Sequence, residues 1–416
     1  RAPAWAPAVG LAACGLGGAN TVVIGALAVG AALAAPAPRW RALGLAAASA
    51  LGVSAVWALP AVTAGVASAQ AGVAAFAARA DTPLGVLGSL VSGGGFWNPA
   101  SHPPGRSVAL VALGAAAFAL ASLAAAVRAG RREHLVSLVV PAVLGLALAW
   151  LSAVDPFGLW SAVVLHVPGG GVLRDAQKLL APWVALAAAG TGVLVRDVLR
   201  VRVAGPALAV LLTALPVALL PSLAWGVGGR VTAVEVPTDL RSVATTLSEA
   251  DAGTVGLLPW SQYRRYGWNG GRVSLTLVPR LVDQRVLFDD GLPLATGTVP
   301  GEDPVARAVG ARIASGVPPL DALAAEGVRW VLVEKDAGPP DPLAGMSPAA
   351  GARVVADGPS ARLLELAGAD AVAAPRVSGV TAVGWTMTCV TWLAAGACLV
   401  VGTARRRGDG LVGSRP

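Results

Sequence analysis

SVALVALGAAAFALASLAAAVRAGRREHLVSLVVPAVLGLALAWLS, residues 107–152, decides the fold. An apolar run is interrupted by Arg128, Arg131 and Arg132, and a second apolar run follows. About 20 helical residues, at about 1.5 Å of rise each, cross a hydrocarbon core about 30 Å thick. Two such runs joined by a short basic turn read as a pair of membrane helices with the turn in the cytoplasm.

The pattern repeats on both sides of this pair. Apolar runs lie at 3–16, 20–36, 42–60, 107–127, 134–152, 179–195, 203–223 and 381–402. Arginines gather at Arg39 and Arg41, at Arg128, Arg131 and Arg132, at Arg196, Arg200 and Arg202, and at Arg405, Arg406 and Arg407. These clusters fall on alternate sides of successive runs, as a single cytoplasmic face requires. The remaining connections, 61–106, 153–178 and 224–380, are then extracytoplasmic. Composition agrees: 55% of residues are hydrophobic and 13% charged, against about 25% charged in soluble domains. The formal net charge of +8 follows from the basic turns and does not imply nucleic acid.

The expected fold is a polytopic α-helical membrane protein with an inserted extracytoplasmic α/β domain. Residues 1–223 form the helical region, with outer loops 61–106 and 153–178. Residues 224–380 form the α/β domain, and 381–416 the last span with a basic cytoplasmic tail. The expected location is the plasma membrane. The chain starts at Arg1, directly before an apolar run, so it is expected to be a piece of a longer protein.

Within 224–380 charges and turn signals return. The patterns predict a helix at 238–249 with Thr238 or Asp239 near its cap, a strand at 254–259, helices at 304–315 and 319–326, and a strand at 328–334. A hairpin is predicted at 352–366, turning at Asp357-Gly358. The segment 64–80 reads as an interfacial helix. Prolines and glycines keep SGGGFWNPASHPPGR (92–106) irregular.

Cys14, Cys389 and Cys398 lie in apolar runs and read as small packed residues. His102, His134 and His166 show no zinc spacing. Asp283, Asp289 and Asp290 in VDQRVLFDDGLP (282–293) leave a divalent cation open, with an Asp-Gly turn as the other reading. No other cofactor is indicated.

GGGVLRDAQKLLAP (169–182) places Arg174, Asp175, Gln177 and Lys178 at an outer helix start. Charges at mid-membrane cost about 2.5–3.5 kcal/mol each, a cost that fades at the interface. Asp175 is expected to cap the following helix, and Arg174 and Lys178 to offer an anion site. The alternative is that both cations snorkel to lipid headgroups. WSQYRRYGWNGGR (260–272) mixes Trp260, Tyr263, Tyr266 and Trp268 with Arg264 and Asn269. Aromatic faces beside hydrogen-bonding groups suit sugar rings, a protein interface or packing within the domain itself.

GLGGANTVVIGALAVGAALA (15–34), LRDAQK (173–178) and LLPWSQYRRYGWN (257–269) together resemble the GT-C class of membrane glycosyltransferases, in particular actinobacterial arabinofuranosyltransferase-type envelope proteins. The resemblance implies a lipid-linked sugar donor, usually a polyprenyl-phosphate sugar, and an extracytoplasmic glycan acceptor. It also implies a catalytic acid upstream of Arg1 and carries Arg174 and Lys178 over as donor-phosphate contacts. The alternatives are a non-catalytic assembly or glycan-binding membrane protein and, less favoured, a transporter.

Overall fold

The computed structural model describes residues 3–33, 40–64, 70–130, 132–167, 169–229, 231–250, 253–294, 297–337, 352–367 and 379–412. Arg39 and Arg131 fall outside them, as do the side chains of Arg132 and of Arg405, Arg406 and Arg407. The chain divides into two compact units: Arg1–Val231 with Gly379–Pro416, and Thr232–Ser378.

The first unit is helical: α1 (Ala6–Cys14), α2 (Ala19–Leu33), α3 (Trp40–Ala64), α4 (Gln70–Ala75), α5 (Gly85–Val91), α6 (Ala109–Ala129), α7 (Arg132–Val154), α8 (Leu159–His166), α9 (Ala181–Val198), α10 (Gly205–Leu219), α11 (Ala224–Gly229) and the helix Gly379–Val412. Among the described residues, five helical segments are long and apolar enough to cross a membrane: Trp40–Thr63, Ala109–Ala129, Ser137–Val154, Ala176–Val198 and Gly379–Gly402. The runs expected at 3–16, 20–36 and 203–223 form apolar helices shorter than these. The chain is thus a multi-pass membrane protein. Of the interfacial helix expected at 64–80, residues 65–69 lie outside the description, α4 forms the helical part beyond them, and residues 76–80 are not helical. Residues 224–229 belong to the helical unit, so the second unit starts at Thr232 and not at 224.

Helices α6 and α9 lie side by side and parallel. Arg128 at the end of α6 meets Asp197 at the end of α9 at 2.9 Å, and Arg196 and Arg200 share that carboxylate. Two of the arginine clusters therefore sit together at one end of the helical unit. The segments that lead into α6 and α9, which contain residues 92–106 and 169–180, lie at the other end. The close approach uses Gly190, where a Cβ would stand 1.7 Å from the Ser122 carbonyl oxygen.

The second unit is a mixed sheet covered on both faces. Its strands are β1 (Thr254–Leu258), β2 (Tyr263–Arg265), β3 (Val273–Leu275), β4 (Val286–Leu287), β5 (Leu292–Leu294), β6 (Gly297–Val299), β7 (Val328–Glu334), β8 (Ala352–Asp357) and β9 (Ala361–Leu366). The main sheet runs β4-β1-β7-β9-β8, while β2–β3 and β5–β6 are separate ribbons. β1 pairs in parallel with β4 and β7, and β9 pairs antiparallel with β7 and β8. The helices are α12 (Thr238–Glu249), α13 (Pro304–Ala314) and α14 (Pro319–Ala324).

Side chains alternate across a strand, and β7 uses both faces. Val331 and Val333 pack with Val309, Leu320 and Leu323 of α13 and α14. Trp330 and Leu332 pack with Leu240, Val243 and Leu247 of α12. A strand buried on both faces is largely apolar, as residues 330–333 are, while Arg329 near its start is only half-buried. Asp239 does not cap its own helix. Its carboxylate accepts the backbone N–H groups of Ser360 and Ala361 at 2.7 and 3.1 Å, tying α12 to the β8–β9 turn.

Candidate functional site

The triple-glycine segment is built from the end of α7. Asp155 turns the chain with φ of 32°, and its carboxylate accepts Trp160 N–H at 2.6 Å and the Ser161 hydroxyl at 2.5 Å. That starts α8 by satisfying its orphan donors. Past α8, Gly169 adopts φ of 79°, and Gly170 packs so closely that a Cβ would lie 2.2 Å from the Val163 carbonyl oxygen. These two glycines serve a tight turn against α8. Two short 3-10 turns follow, Gly170–Leu173 and Ala176–Leu180, leading into α9 with Pro182 in its first turn.

Asp175 makes no side-chain capping bond, contrary to the expected cap. It pairs instead with Lys178, Nζ to Oδ2, at 2.5 Å. The Arg174 guanidinium lies 4.3 Å from the centre of the Phe76 ring, a cation–π contact. Phe76 meets Trp97 edge-on at 4.6 Å, and Trp97 meets Phe96 at 5.5 Å. Arg174 is thereby linked to the 92–106 segment.

Below these charges the segment holds buried polar atoms with no partner among the described residues. They are Oδ1 of Asp175, both amide atoms of Gln177 and Nε1 of Trp160. Gln177 is 9% exposed. A buried polar group without a partner costs about 1–3 kcal/mol, so this end of the unit is suited to a polar ligand. Gln177 carries no charge, and the sequence gives no sign of its burial.

The 92–106 segment is more ordered than its prolines suggest, with 3-10 turns at Pro99–Ser101 and Pro104–Ser107. Its anchor is Arg106, 3% exposed. Arg106 grips Asp81 with two hydrogen bonds, 2.7 and 3.0 Å, and donates to the Ser89 and Ser92 carbonyls and the Ser92 hydroxyl. A bidentate pair in which all three nitrogens donate suits a buried guanidinium. Only a single Arg at the end of an irregular loop, with a single Asp upstream, hinted at this pair.

In the sheet unit the residues of 260–272 separate into two sets. Arg264 and Tyr266 are each 1% exposed. Arg264 Nε donates to Glu334 Oε2 at 2.7 Å, and its other nitrogens donate to the carbonyls of Pro259, Ser261 and Tyr263. The Tyr266 hydroxyl donates to Glu334 Oε1 at 2.5 Å, and Thr276 donates to Oε2 at 3.2 Å. Burial, reinforced by the Glu334 charge, pushes the Tyr266 phenol well above its ordinary range. Arg264 and Tyr266 therefore hold the β2–β3 ribbon to the end of β7, with no surface to offer a sugar. Glu334 closes this network although its sequence reads only as a strand end.

The other set is partly exposed. Trp268 stacks on Tyr266 at 4.4 Å. Asn269 closes the loop through Arg272, at 3.0 Å from its Nδ2 to the Arg272 carbonyl and 3.0 Å from the Arg272 N–H to its Oδ1. Trp260 packs beside the α13–α14 core, and burial raises the Tyr263 phenol. Asp289 accepts the Gly291 N–H, while Asp290 accepts those of Glu302 and Asp303. Among the described residues no group of three or more His, Cys, Asp or Glu is placed to hold a metal ion.

No protein-family model and no curated protein matches the chain. Solved structures do. The cryo-EM structure of arabinofuranosyltransferase AftD from Mycobacteria superposes on 89% of the chain with a TM-score of 0.55 and 17% identity. Class 2 of its R1389S mutant superposes on 88% with a TM-score of 0.51 and 16% identity. The chain spans 28% of the length of the first and 29% of the second. Its fold is thus similar to that of a stretch of a mycobacterial arabinofuranosyltransferase.

Proposed function

We propose that the chain is part of a cell-envelope glycosyltransferase of GT-C type, which moves a sugar from a polyprenyl-phosphate donor to an extracytoplasmic acceptor. The observation that carries this reading is the fold likeness to an arabinofuranosyltransferase over nearly the whole chain. The arginine-bearing turns support a cytoplasmic face at one end of the helical unit, with the sheet unit and residues 153–178 outside. Cysteine labelling near Arg265 on intact cells tests that placement.

In this reading Arg174 and Lys178 contact the donor phosphate, and Asp175 holds Lys178 in place. As the glycosidic bond breaks, negative charge grows on the departing phosphate, and nearby cations stabilise it. Gln177 supplies a donor and an acceptor beneath the charges. Trp260, Tyr263, Trp268 and Asn269 are the part of the aromatic loop left to meet a glycan.

The full-length protein that carries this chain, in liposomes with a polyprenyl-phosphate sugar, provides the test. Charge-assisted hydrogen bonds are worth about 1.5–3 kcal/mol, so Arg174→Ala and Lys178→Ala should each lower turnover roughly ten- to a hundredfold. Unchanged turnover in both removes the phosphate site. Glycan binding without donor turnover in the unmodified full-length protein favours a non-catalytic assembly protein.

A further inference from the structure

Beside the Asp81–Arg106 pair, in the helical unit, lies a recess of about 330 Å³. It is at the small end of the range for small-molecule sites, which starts at about 300 Å³. Asp81, Thr82, His102 and Ser107 supply its polar lining, with the rings of Pro103 and Pro104 between them.

The hydrogen bonds around the recess fix what it can accept. His102 Nε2 is 2.7 Å from the Phe96 carbonyl oxygen. A carbonyl only accepts, so Nε2 carries a proton, and in the neutral ring Nδ1 is then the acceptor. The Ser107 hydroxyl donates to the Pro104 carbonyl at 2.8 Å, leaving its lone pairs. Asp81 has one bond from Arg106 on each oxygen and its side chain is 2% exposed, so it backs the recess and fixes its wall. Thr82 shares its hydroxyl with Ser89 at 2.8 Å and accepts the Leu84 N–H at 3.3 Å. The lining is therefore rich in acceptors and contains no Lys or Arg. A phosphate, which needs donors, does not fit it. A ligand with many hydroxyl donors does, and the pyrrolidine rings offer apolar faces to its C–H groups.

We propose that this recess is a subsite for one sugar ring, whose hydroxyls donate to His102 and Ser107 while Pro103 and Pro104 cover its apolar face. The assignment rests on the glycosyltransferase reading for its biological sense, and it names a carbohydrate contact apart from the candidate phosphate contacts. The path from Arg174 through Phe76, Trp97 and Phe96 to His102 joins the two places within one wall of the same unit.

Saturation-transfer NMR on the full chain in nanodiscs provides the test, with methyl arabinofuranoside, methyl mannopyranoside and ethanolamine as probes. At least one glycoside should bind, and Ser107→Val and His102→Phe should each weaken it at least tenfold. Ser107 is exposed, so its substitution keeps the test valid if the His102 variant fails to fold. Binding of neither glycoside, binding unaffected by Ser107→Val, or binding of ethanolamine alone overturns the subsite. Donor turnover without glycoside binding removes this subsite but leaves the transferase reading. Glycoside binding without turnover does the reverse.

Discussion

In the helical unit Leu110, Val210 and Leu393 point outward, while in the sheet unit the apolar side chains of β7 are buried on both faces. Lipid accepts long runs of exposed apolar side chains, so the first unit keeps a broad apolar surface, whereas the second gathers most of its apolar side chains around the sheet. Yet each unit fixes an irregular segment in the same way. Arg106 with Asp81 pins the 92–106 segment, and Arg264 with Glu334 pins the β2–β3 ribbon. Regular helices and strands satisfy their own backbone groups, whereas loops near a site do not. A buried ion pair with several satisfied bonds supplies that rigidity in either surrounding.

Removing one partner strands a buried charge at a cost of about 3–5 kcal/mol. Glu334→Ala and Asp81→Ala should therefore give the largest losses, read as lowered thermal stability of the full chain. Hydrogen exchange should locate the first at β2, β3 and β7 and the second at residues 92–106. A loss below 1 kcal/mol at one site alone would break the parallel between the units. Gly190→Ala comes next, because its methyl group meets the Ser122 carbonyl; overpacking of this kind costs about 1–3 kcal/mol. It should loosen α6 from α9 and leave exchange in the sheet unit unchanged.

The smallest effect is acid sensitivity of the sheet unit. Its carboxylates at Asp357, beside Arg362 and Lys335, and at Glu365, beside Arg353 and Arg329, sit below their ordinary range. A folded-state value below the unfolded one gives stability that is complete above the unfolded value, about 4, and is lost as pH falls through the folded value. The unit should loosen below about pH 4, and Arg353→Ala should flatten that dependence. A profile unchanged by Arg353→Ala removes Glu365 from the account.

Elements that follow from periodicity are legible in the sequence. The helix Thr238–Glu249, the strand Val328–Glu334 and the hairpin around Asp357-Gly358 all stand where the pattern puts them. So do the long apolar helices. Side-chain partnership across long separations is not legible. Arg264 and Tyr266 sit among aromatics and glycines and look like surface recognition residues. Their partner Glu334 lies far along the chain, and only the β1–β7 pairing brings it near. Asp175 stands where a cap belongs, but Lys178, one turn away, takes its carboxylate. Arg106 and Gln177 show the same limit, since burial of a polar side chain depends on what folds over it.

The helix Gly379–Val412 reaches back to the start of the chain. Thr388 donates its hydroxyl to the Gly52 carbonyl at 3.0 Å, and the Trp392 indole donates to that of Ala12 at 2.9 Å. During synthesis the ribosome releases that helix only after the whole sheet unit has emerged. Until then α1 and α3 wait in the bilayer with an unmatched face. Assembly of α1 and α3 is therefore completed by a segment translated after the sheet unit, and a nascent protein stalled before residue 379 leaves that face open.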